Sequence, residues 1–302
     1  MKLLFPAQRY QCIQCGKSCG EWRIWVEPEL VDRLRRHPLA LRLEVAGQDY
    51  LLQDGEDWHY LGYDHERRCF FLQDQRLCGL HASSGWLSKP RACRQFPFFL
   101  LETPEGIQVG LSFRCSAVQQ DLGLEWSEHE DDLRQLLASG QYQRVGFEPA
   151  VYGLQSLEWS TYLSWEQEWR RRLGEATLAS IFHAHLDLIL PEPEFDRLLE
   201  GWTQSACALL RVQLAPAVAQ VDEQSARYLA HVLERKFLWL GGDLLGRMLL
   251  LLVGERLLWG ARAAGQGWPQ AFDLVEGQWL GHREDLGPVQ AGLAQTLIQF
   301  QR

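Results

Sequence analysis

The sequence is poor in positive charge, and only four of its 30 basic residues are lysine. Acidic residues number 39, so the formal net charge is −9 and the isoelectric point lies near 5.5. Nucleic acids and anionic membranes attract positively charged surfaces, so this balance argues against both as partners. Arg170-Arg171-Arg172 is a local exception, and we expect it on the solvated face of a helix.

Long uncharged hydrophobic runs are also missing. The richest stretch, residues 237–258, contains Asp243, Arg247, Glu255 and Arg256. A transmembrane helix needs about 20 predominantly apolar residues in a row. A secretory signal is not visible either, because Lys2 is followed by only a short apolar stretch. We therefore predict a cytoplasmic protein without a membrane partner.

A glycine-rich loop of the dinucleotide-binding kind is absent, and so are fixed-period repeats and low-complexity tracts. The chain is nevertheless 46% hydrophobic and 23% charged, which is ordinary for a globular protein. Its 302 residues are enough for two domains with real cores. Disorder is therefore not expected for most of the chain.

Cysteine is the informative residue type. The chain has eight cysteines, and seven of them fall within the first 115 residues. In a reducing compartment such a cluster favours metal binding or catalysis over disulfide bonds. The candidate metal ligands are Cys12, Cys15, Cys19, Cys69, Cys78, Cys93 and Cys115. The eighth, Cys207, is expected to be an ordinary small buried residue.

The N-terminal trio has the spacing C-x2-C-x3-C. Cys12 and Cys15 are close enough to share one metal across a tight turn, and Gly16 permits the backbone bend. Cys15 and Cys19 would meet on one face if a helical turn follows. The order is the reverse of the trio of radical S-adenosylmethionine enzymes, and the closing Cys-Pro of ferredoxins is absent. The spacing therefore predicts a metal site without naming the metal.

Cys69 and Cys78 are predicted to lie on one face of a β-hairpin. A turn centred on Asp74-Gln75 would place Phe71 opposite Cys78 and Cys69 diagonal to it. Diagonal neighbours lie about 7–8 Å apart at the backbone, which is long for a disulfide bond. The separation suits two thiolates that hold one metal ion or one cluster. His81 is an alternative fourth ligand for a Cys3His site.

Cys93 follows Pro90, which can begin a helical turn. Free N–H groups of that turn, together with Arg91 and Arg94, predict a lowered pKa for the Cys93 thiol. Cys115 follows a second predicted hairpin and completes the set.

The two halves of the chain differ in pattern. Alternating residues predict a strand at Leu41–Val45 and a hairpin formed by Phe96–Leu101 and Ile107–Phe113. Leu244–Trp259 is apolar nearly all round and predicts a central buried helix, preceded by a break at Gly241-Gly242. We therefore predict an α+β fold. A small cysteine-rich domain with antiparallel hairpins and a metal centre would occupy residues 1–120, and a mostly α-helical domain residues 121–302.

Taken in order, the cysteine blocks resemble the YkgJ-type cysteine-cluster family, which is described as zinc- or iron-chelating. The family opening C-x-x-C-G-x-C-C is matched by Cys12, Cys15, Gly16 and Cys19, with Ser18 in place of one cysteine. The later blocks are matched by Cys69-Phe70-Phe71-Leu72 with Cys78, and by Pro90, Cys93, Arg94, Phe96 and Pro97. The resemblance covers roughly residues 8–120.

The flagellin lysine-N-methylase branch of that family is similar as well, through Gly20, Trp22 and Ile24 and through Gly85 and Leu87. This resemblance implies S-adenosylmethionine-dependent methyl transfer to a protein lysine, with a [4Fe-4S] cluster. S-adenosylmethionine and a protein substrate are therefore expectations that come from the resemblance alone. No catalytic residue follows from the sequence.

Two further interpretations stay open at this stage. The metal could be a structural zinc ion, with no enzymatic role, while the helical half binds a protein partner. The chain could also be a redox-active thiol protein through Cys12-x-x-Cys15, but the βαβ context of such a site is not apparent. All-thiolate ligation suits both zinc and iron, so the sequence predicts a [4Fe-4S] cluster or zinc without choosing between them.

Overall fold

The structure is a computed structural model, and its architecture divides into two compact units built from interleaved segments. The helical unit comprises Met1–Gln8, Phe99–Arg114 and Tyr142–Arg302, and the cysteine unit comprises Arg9–Phe98 and Cys115–Gln141. The residues that the structure describes are 1–56, 58–73, 77–123, 126–140, 142–144, 156–186, 192–214, 222–240 and 244–280.

The elements confirm the α+β class, with small sheets early in the chain and long helices late. The strands are β1 (Leu3–Leu4), β2 (Trp25–Val26), β3 (Leu51–Asp54), β4 (Trp58–Leu61), β5 (Phe98–Thr103), β6 (Gly106–Leu111) and β7 (Gln143–Arg144). The helices are α1 (Pro28–Arg35), α2 (Pro38–Val45), α3 (Gly79–Ser84), α4 (Arg91–Gln95), α5 (Ser116–Gln119), α6 (Glu130–Ala138), α7 (Trp159–Arg172), α8 (Leu178–Leu186), α9 (Glu192–Leu210), α10 (Glu223–Glu234), α11 (Leu244–Ala263) and α12 (Trp268–Phe272).

The predicted strand at Leu41–Val45 is wrong, because these residues form the end of α2. Pro38 occupies the first turn, where its fixed φ suits a helix and its missing N–H costs nothing. The Nδ1 atom of His37 accepts a hydrogen bond of 3.2 Å from the Leu39 amide and so caps the helix. A good start signal therefore outweighs the alternating pattern.

The cysteine unit contains an antiparallel sheet of order β2-β4-β3, with Tyr60 of β4 opposite Trp25 on one side and Leu52 on the other. Its buried core combines residues of this sheet with residues of α1, α2 and α3. The core members are Ile24, Val26, Leu30, Val31, Leu34, Ala40, Tyr50, Leu61, Phe71 and Leu80. Cys69, Cys78 and Cys93 pack against this core, so three of the candidate ligands are held by ordinary hydrophobic packing.

The helical unit is built around α11, whose residues are buried on nearly every side. It packs against α8, α9, α12 and the π-helical segment Asp273–Leu280, as the all-round apolar pattern predicts. The predicted break at Gly241-Gly242 lies outside the described residues. Among the helices that the structure describes, none is both long enough and apolar enough to cross a membrane.

The predicted hairpin over residues 96–113 is confirmed as β5 and β6, which are neighbours in a sheet of order β1-β6-β5-β7. This hairpin belongs to the helical unit, where β6 packs against α10. His231 of α10 fixes that contact, since its Nε2 atom lies 2.9 Å from the Leu111 amide nitrogen. The two units therefore consist of interleaved segments and are not separated by one boundary along the chain. The predicted domain boundary after residue 120 stays a prediction.

Candidate metal centre

The loop that carries the first three cysteines is tightly folded. Gln14 and Gly16 have φ angles of 55° and 73°, and a 3-10 turn then runs over Lys17–Cys19. The Cys19 amide donates a hydrogen bond of 3.1 Å to the Gly16 carbonyl. Left-handed backbone suits glycine and costs other residues about 1–2 kcal/mol, so this segment is held in an uncommon conformation. A turn after Cys15 is what the spacing predicts.

Cys69 lies directly beside Cys19. The Cys69 amide donates a hydrogen bond of 3.0 Å to the Cys19 carbonyl, which joins two separate cysteine motifs through the backbone. The Cys69 thiol accepts hydrogen bonds from the amides of Phe71 and Leu72, as the chain turns back on itself. Burial raises the pKa of Cys69 to about 12, with the Cys19 and Cys78 thiols adding to the rise. N–H groups aimed at sulfur stabilise a thiolate.

The predicted register of the Cys69–Cys78 hairpin is wrong by one residue. Leu72, not Phe71, lies opposite Cys78, and the Gln73 amide donates to the Leu77 carbonyl at 2.8 Å. The predicted turn at Asp74-Gln75 lies outside the described residues. A shift of one residue exchanges the two faces of a hairpin, so alternation does not bring these thiols together. Cys78 occupies the N-cap position of α3 without a side-chain cap hydrogen bond, and the Cys69 carbonyl accepts a hydrogen bond of 2.9 Å from the Leu72 amide in a turn.

Cys93 lies in α4, the short helix that Pro90 begins as predicted. The predicted lowering of its thiol pKa is wrong, because burial raises this pKa well above its usual value. The Lys89 ammonium opposes the rise, while Cys69, Cys78 and Cys19 add to it. Burial destabilises the Cys93 thiolate by more than the half-buried Lys89 ammonium stabilises it. The Arg91 side chain is directed to Glu27 instead, with Nε 3.6 Å from Oε1.

Cys115 is the residue that precedes α5, and it is almost fully buried. Its thiol accepts hydrogen bonds from the amides of Ala117 and Val118, which are free N–H groups of the helix start. Burial raises the pKa of Cys115 to about 11, and the thiols that act on it are Cys15 and Cys12. The Tyr10 hydroxyl is hydrogen-bonded to Cys12. Burial raises the pKa of Tyr10, and the Cys12, Cys115 and Cys15 thiols add to the rise.

The seven thiols thus gather into two sets within the cysteine unit. We call Cys19, Cys69, Cys78 and Cys93 the first thiol group, because the last three pack against one hydrophobic core and the Cys19 carbonyl accepts a hydrogen bond from the Cys69 amide. We call Cys12, Cys15 and Cys115, with the Tyr10 hydroxyl beside them, the second thiol group. The Cys12 and Cys15 thiols also raise the pKa of Cys19, but by less than the Cys78 thiol does.

Two other residues considered in the sequence analysis, Cys207 and His81, lie outside the two thiol groups. Cys207 lies in α9 of the helical unit and is half-buried rather than buried. His81 lies in α3 and is exposed, and burial of part of its ring with the nearby Lys89 lowers its pKa.

The donor chemistry of both thiol groups fits a soft, thiolate-bound metal such as zinc or an iron–sulfur cluster. All eight cysteines are free. Among the described residues, however, no three His, Cys, Asp or Glu side chains are arranged so that they could hold a metal ion. Thiols that are neighbours but not convergent can be drawn together by side-chain rotation, because staggered rotamers of cysteine exchange without moving the backbone. The thiols are therefore the right type of ligand for zinc or an iron–sulfur cluster. Metal binding would bring their sulfur atoms together.

Sequence reasoning missed three residues that shape this site. Glu27 is buried, and its Oε1 accepts a hydrogen bond of 2.6 Å from the Arg91 amide at the start of α4, which positions Cys93. Lys89 is a positive charge that acts on both Cys19 and Cys93. Tyr10 is buried beside Cys12. The scarcity of lysine could have drawn attention to Lys89, but Glu27 and Tyr10 carry no signal without a structure.

Comparison with known proteins agrees with this assignment. Residues 11–121 match the family model CxxCxxCC, described as "Putative zinc- or iron-chelating domain". An uncharacterized protein of Methanocaldococcus jannaschii is 27% identical over 122 residues, which cover 39% of this chain and 40% of that protein. The chain thus spans about two fifths of the length of the curated relative that it matches. No solved structure matches.

All seven candidate ligands lie inside the matched segment. The match carries the zinc- or iron-chelating description and does not single out the methylase branch. Residues 11–121 therefore resemble the YkgJ-type cysteine-cluster family, and the match supports metal binding.

Proposed function

We propose that the first thiol group binds one metal centre through four thiolates and that this centre holds the cysteine unit together. The observation that supports the proposal is that Cys69, Cys78 and Cys93 pack against one hydrophobic core, while a backbone hydrogen bond of 3.0 Å joins Cys19 to Cys69. Four-thiolate sites with no free position are typical of structural zinc and of iron–sulfur clusters. Bound metal would contribute folding free energy directly.

The chain's own residues would prepare this site in three ways. Amides of Phe71 and Leu72 donate to the Cys69 sulfur and favour its ionised form. Lys89 offsets part of the negative charge that four thiolates bring. Glu27 fixes the start of α4 and therefore the position of Cys93. When bound, the metal would supply a dication or an electron-carrying cluster at this point.

Metal analysis of variants tests the proposal. The full chain is purified without oxygen, and iron, zinc and acid-labile sulfide are measured per chain. We expect Cys93→Ser to lose the centre and the control Cys207→Ser to keep it, because Cys207 lies in the other unit. Full metal content in Cys93→Ser, or no metal in the unaltered chain, would overturn the proposal.

The same measurement decides the identity of the metal. Zinc without sulfide would favour the structural role, with the helical unit as the part that binds a protein partner. About four iron and four sulfide per centre would indicate a [4Fe-4S] cluster. In that case the methyl-transfer function implied by the methylase branch predicts that S-adenosylmethionine binds, which isothermal titration calorimetry measures. Free thiols in this number also agree with a reducing cytoplasm.

A further inference from the structure

Strand β3 forms an open edge of the sheet in the cysteine unit. In the order β2-β4-β3, its only strand partner among the described residues is β4. The last three of its four residues are exposed, and Leu51–Asp54 includes neither lysine nor proline. The pairing advances without a bulge, from Leu51 opposite Leu61 to Asp54 opposite Trp58. Lysine, proline and bulges are the usual devices that keep an edge strand from pairing, so this edge is open to another strand.

The hydrogen bonds of the sheet show which backbone groups of β3 face outward. The Gly62 amide donates a hydrogen bond of 2.7 Å to the Tyr50 carbonyl, so Tyr50 is directed toward the β4 side. Successive residues of a strand direct their backbone groups to opposite sides in an antiparallel ladder. Leu52 therefore bonds to β4, while the amide and carbonyl groups of Leu51 and Gln53 point to the open edge.

The exposed face of β3 places an apolar side chain between these outward groups. Leu52 is 42% exposed, and it lies opposite Tyr60 of β4. The Arg23 guanidinium covers the Tyr60 ring at 3.7 Å and also lies 2.6 Å from the Asp54 carboxylate. The charge at the end of the strand is therefore already paired, and the middle of the edge is neutral and apolar.

We propose that two copies of this chain pair antiparallel through β3, about a two-fold axis at Leu52. In this register Leu51 of each copy exchanges two hydrogen bonds with Gln53 of the other copy, so all the outward groups are used. The two Leu52 side chains face each other as a non-hydrogen-bonded pair, in which the Cα atoms lie about 4.5 Å apart. The two three-stranded sheets would join into one sheet of six strands.

Charge favours this register over its neighbours. A two-fold axis at Gln53 would make the two Asp54 carboxylates diagonal neighbours, about 7–8 Å apart at the backbone, where like charges repel. An axis at Leu51 would pair Gln53 with Asp49, which lies outside the strand. An axis at Leu52 separates the two Asp54 residues by about 13 Å along the strands. It is the register that satisfies the backbone and also keeps the carboxylates apart.

The dimer should be weak and reversible. We expect one strand pair of this length to bury less than about 1,200 Å², which is the lower end of stable interfaces. Each copy also carries a formal net charge of −9, so added salt should strengthen the association by screening the repulsion. The inference goes beyond the proposed metal centre and does not depend on it, because β3 contains no candidate ligand.

Analytical ultracentrifugation of the full chain over a range of concentrations tests the proposal. A phosphine reductant keeps the free cysteines unlinked. Leu52→Lys would place two like charges opposite each other, and Gln53→Pro would remove an outward amide that β4 does not use. Each should raise the dimer dissociation constant at least about tenfold. Val45→Lys, at a 90% exposed position of α2, is the matched control and should dimerise like the unaltered chain.

A charge-swapped pair tests the register. Leu52→Glu alone should be as monomeric as Leu52→Lys, whereas a mixture of the two variants should form mixed dimers, because opposite charges then face each other. One variant is labelled with nitrogen-15, so native mass spectrometry distinguishes mixed dimers from dimers of one variant. Circular dichroism verifies that each variant is folded.

Three results would overturn the proposal. If the unaltered chain stayed monomeric at every concentration, the open edge would not bind a second copy, and a strand of another protein would become the alternative occupant. Dimers that persist in both Leu52→Lys and Gln53→Pro would show that another surface forms the contact. A mixture of Leu52→Lys and Leu52→Glu without mixed dimers would contradict the register.

Discussion

The amide nitrogen of Cys69 lies 3.0 Å from the carbonyl oxygen of Cys19, so two cysteines from different motifs share a backbone hydrogen bond. The backbone thereby fixes both motifs at the same point. Preorganisation of this kind lowers the conformational entropy that binding must overcome. The integrity of this junction should therefore control metal affinity.

Gly20 is the residue whose replacement tests the junction most directly. A Cβ at Gly20 would lie 2.2 Å from the Arg67 carbonyl oxygen, which is backbone and cannot rotate away. Gly20→Ala must separate the two segments, and overpacking of this kind costs about 1–3 kcal/mol. We expect weaker metal binding by at least about tenfold, which corresponds to about 1.4 kcal/mol, in competition with a chromogenic chelator.

The matched control is Gly201→Ala in α9, where a Cβ meets nothing within 4 Å. Alanine is favoured over glycine in a helix by about 1 kcal/mol, so this variant should be slightly stabilised. Its metal affinity should not change. Equal affinities for Gly20→Ala and the unaltered chain would show that the junction is not needed for binding.

Lys89 should affect metal affinity through its charge. It is half-buried, and it favours the ionised forms of Cys19 and Cys93. Removal of one such charge in a partly solvated site is worth roughly 1 kcal/mol, so Lys89→Gln should weaken metal binding by about fivefold. Lys89→Arg keeps the charge and should bind nearly as well. Loss of affinity in both variants would instead indicate that the shape of the lysine side chain matters.

Local patterns predicted much of the fold, and the reason is visible in particular elements. The hairpin of β5 and β6 alternates strictly, and α11 is apolar on all sides, so each carries its own periodic signal. The seven cysteines singled out by their spacing all lie in one unit, and their role as ligands stays a prediction. These features depend on neighbours in sequence.

What the sequence could not predict depends on burial and on contacts between distant residues. The pKa of Cys93 is raised because tertiary packing buries it, and the Arg91 charge that suggested a lowered pKa is directed to Glu27. The register at Cys78 depends on one extra residue in the connection. Glu255 argued against a membrane helix in the sequence, yet the structure buries it inside the helical unit. Such outcomes need the whole fold.

The helical unit contains a buried ion pair whose removal should be costly. Arg235 Nη1 lies 2.5 Å from Glu276 Oε1, and the Tyr228 hydroxyl donates a hydrogen bond of 2.9 Å to Glu276 Oε2. Glu276→Leu would leave Arg235 charged and unpaired, which costs about 3–5 kcal/mol for buried pairs. Urea denaturation measures this loss in the free energy of unfolding.

The double variant and an exposed pair serve as controls. Arg235→Met combined with Glu276→Leu removes both charges, so it should cost less than Glu276→Leu alone. Arg171 and Glu168 form an exposed pair at 2.8 Å, and Glu168→Ala should cost less than about 1 kcal/mol. If the double variant were as unstable as the sum of the two single variants, the two charges would not be coupled.

Glu255 should make the stability of the helical unit depend on pH. Its side chain is buried in α11, and Oε1 accepts a hydrogen bond of 2.9 Å from the Leu178 amide at the start of α8. Burial raises the pKa of Glu255 to about 7, although the Leu178 amide and the nearby Arg256 charge oppose the rise. In the unfolded chain a glutamate ionises near its usual value of 4.5.

The direction of the change in stability with pH depends on which state, folded or unfolded, binds the proton of Glu255 more tightly. Because the folded state holds it more tightly, the contribution of Glu255 to stability is complete below about pH 4.5 and is lost as the pH rises through about 7. The rise of the pKa from 4.5 to about 7 corresponds to about 3 kcal/mol. Glu255→Gln stays neutral and keeps an acceptor for Leu178, so it should gain stability relative to the unaltered chain across this window. Urea denaturation at pH 4.5, 6 and 8 measures the difference. A difference that is constant with pH would show that the pKa of Glu255 is the same in the folded and the unfolded chain.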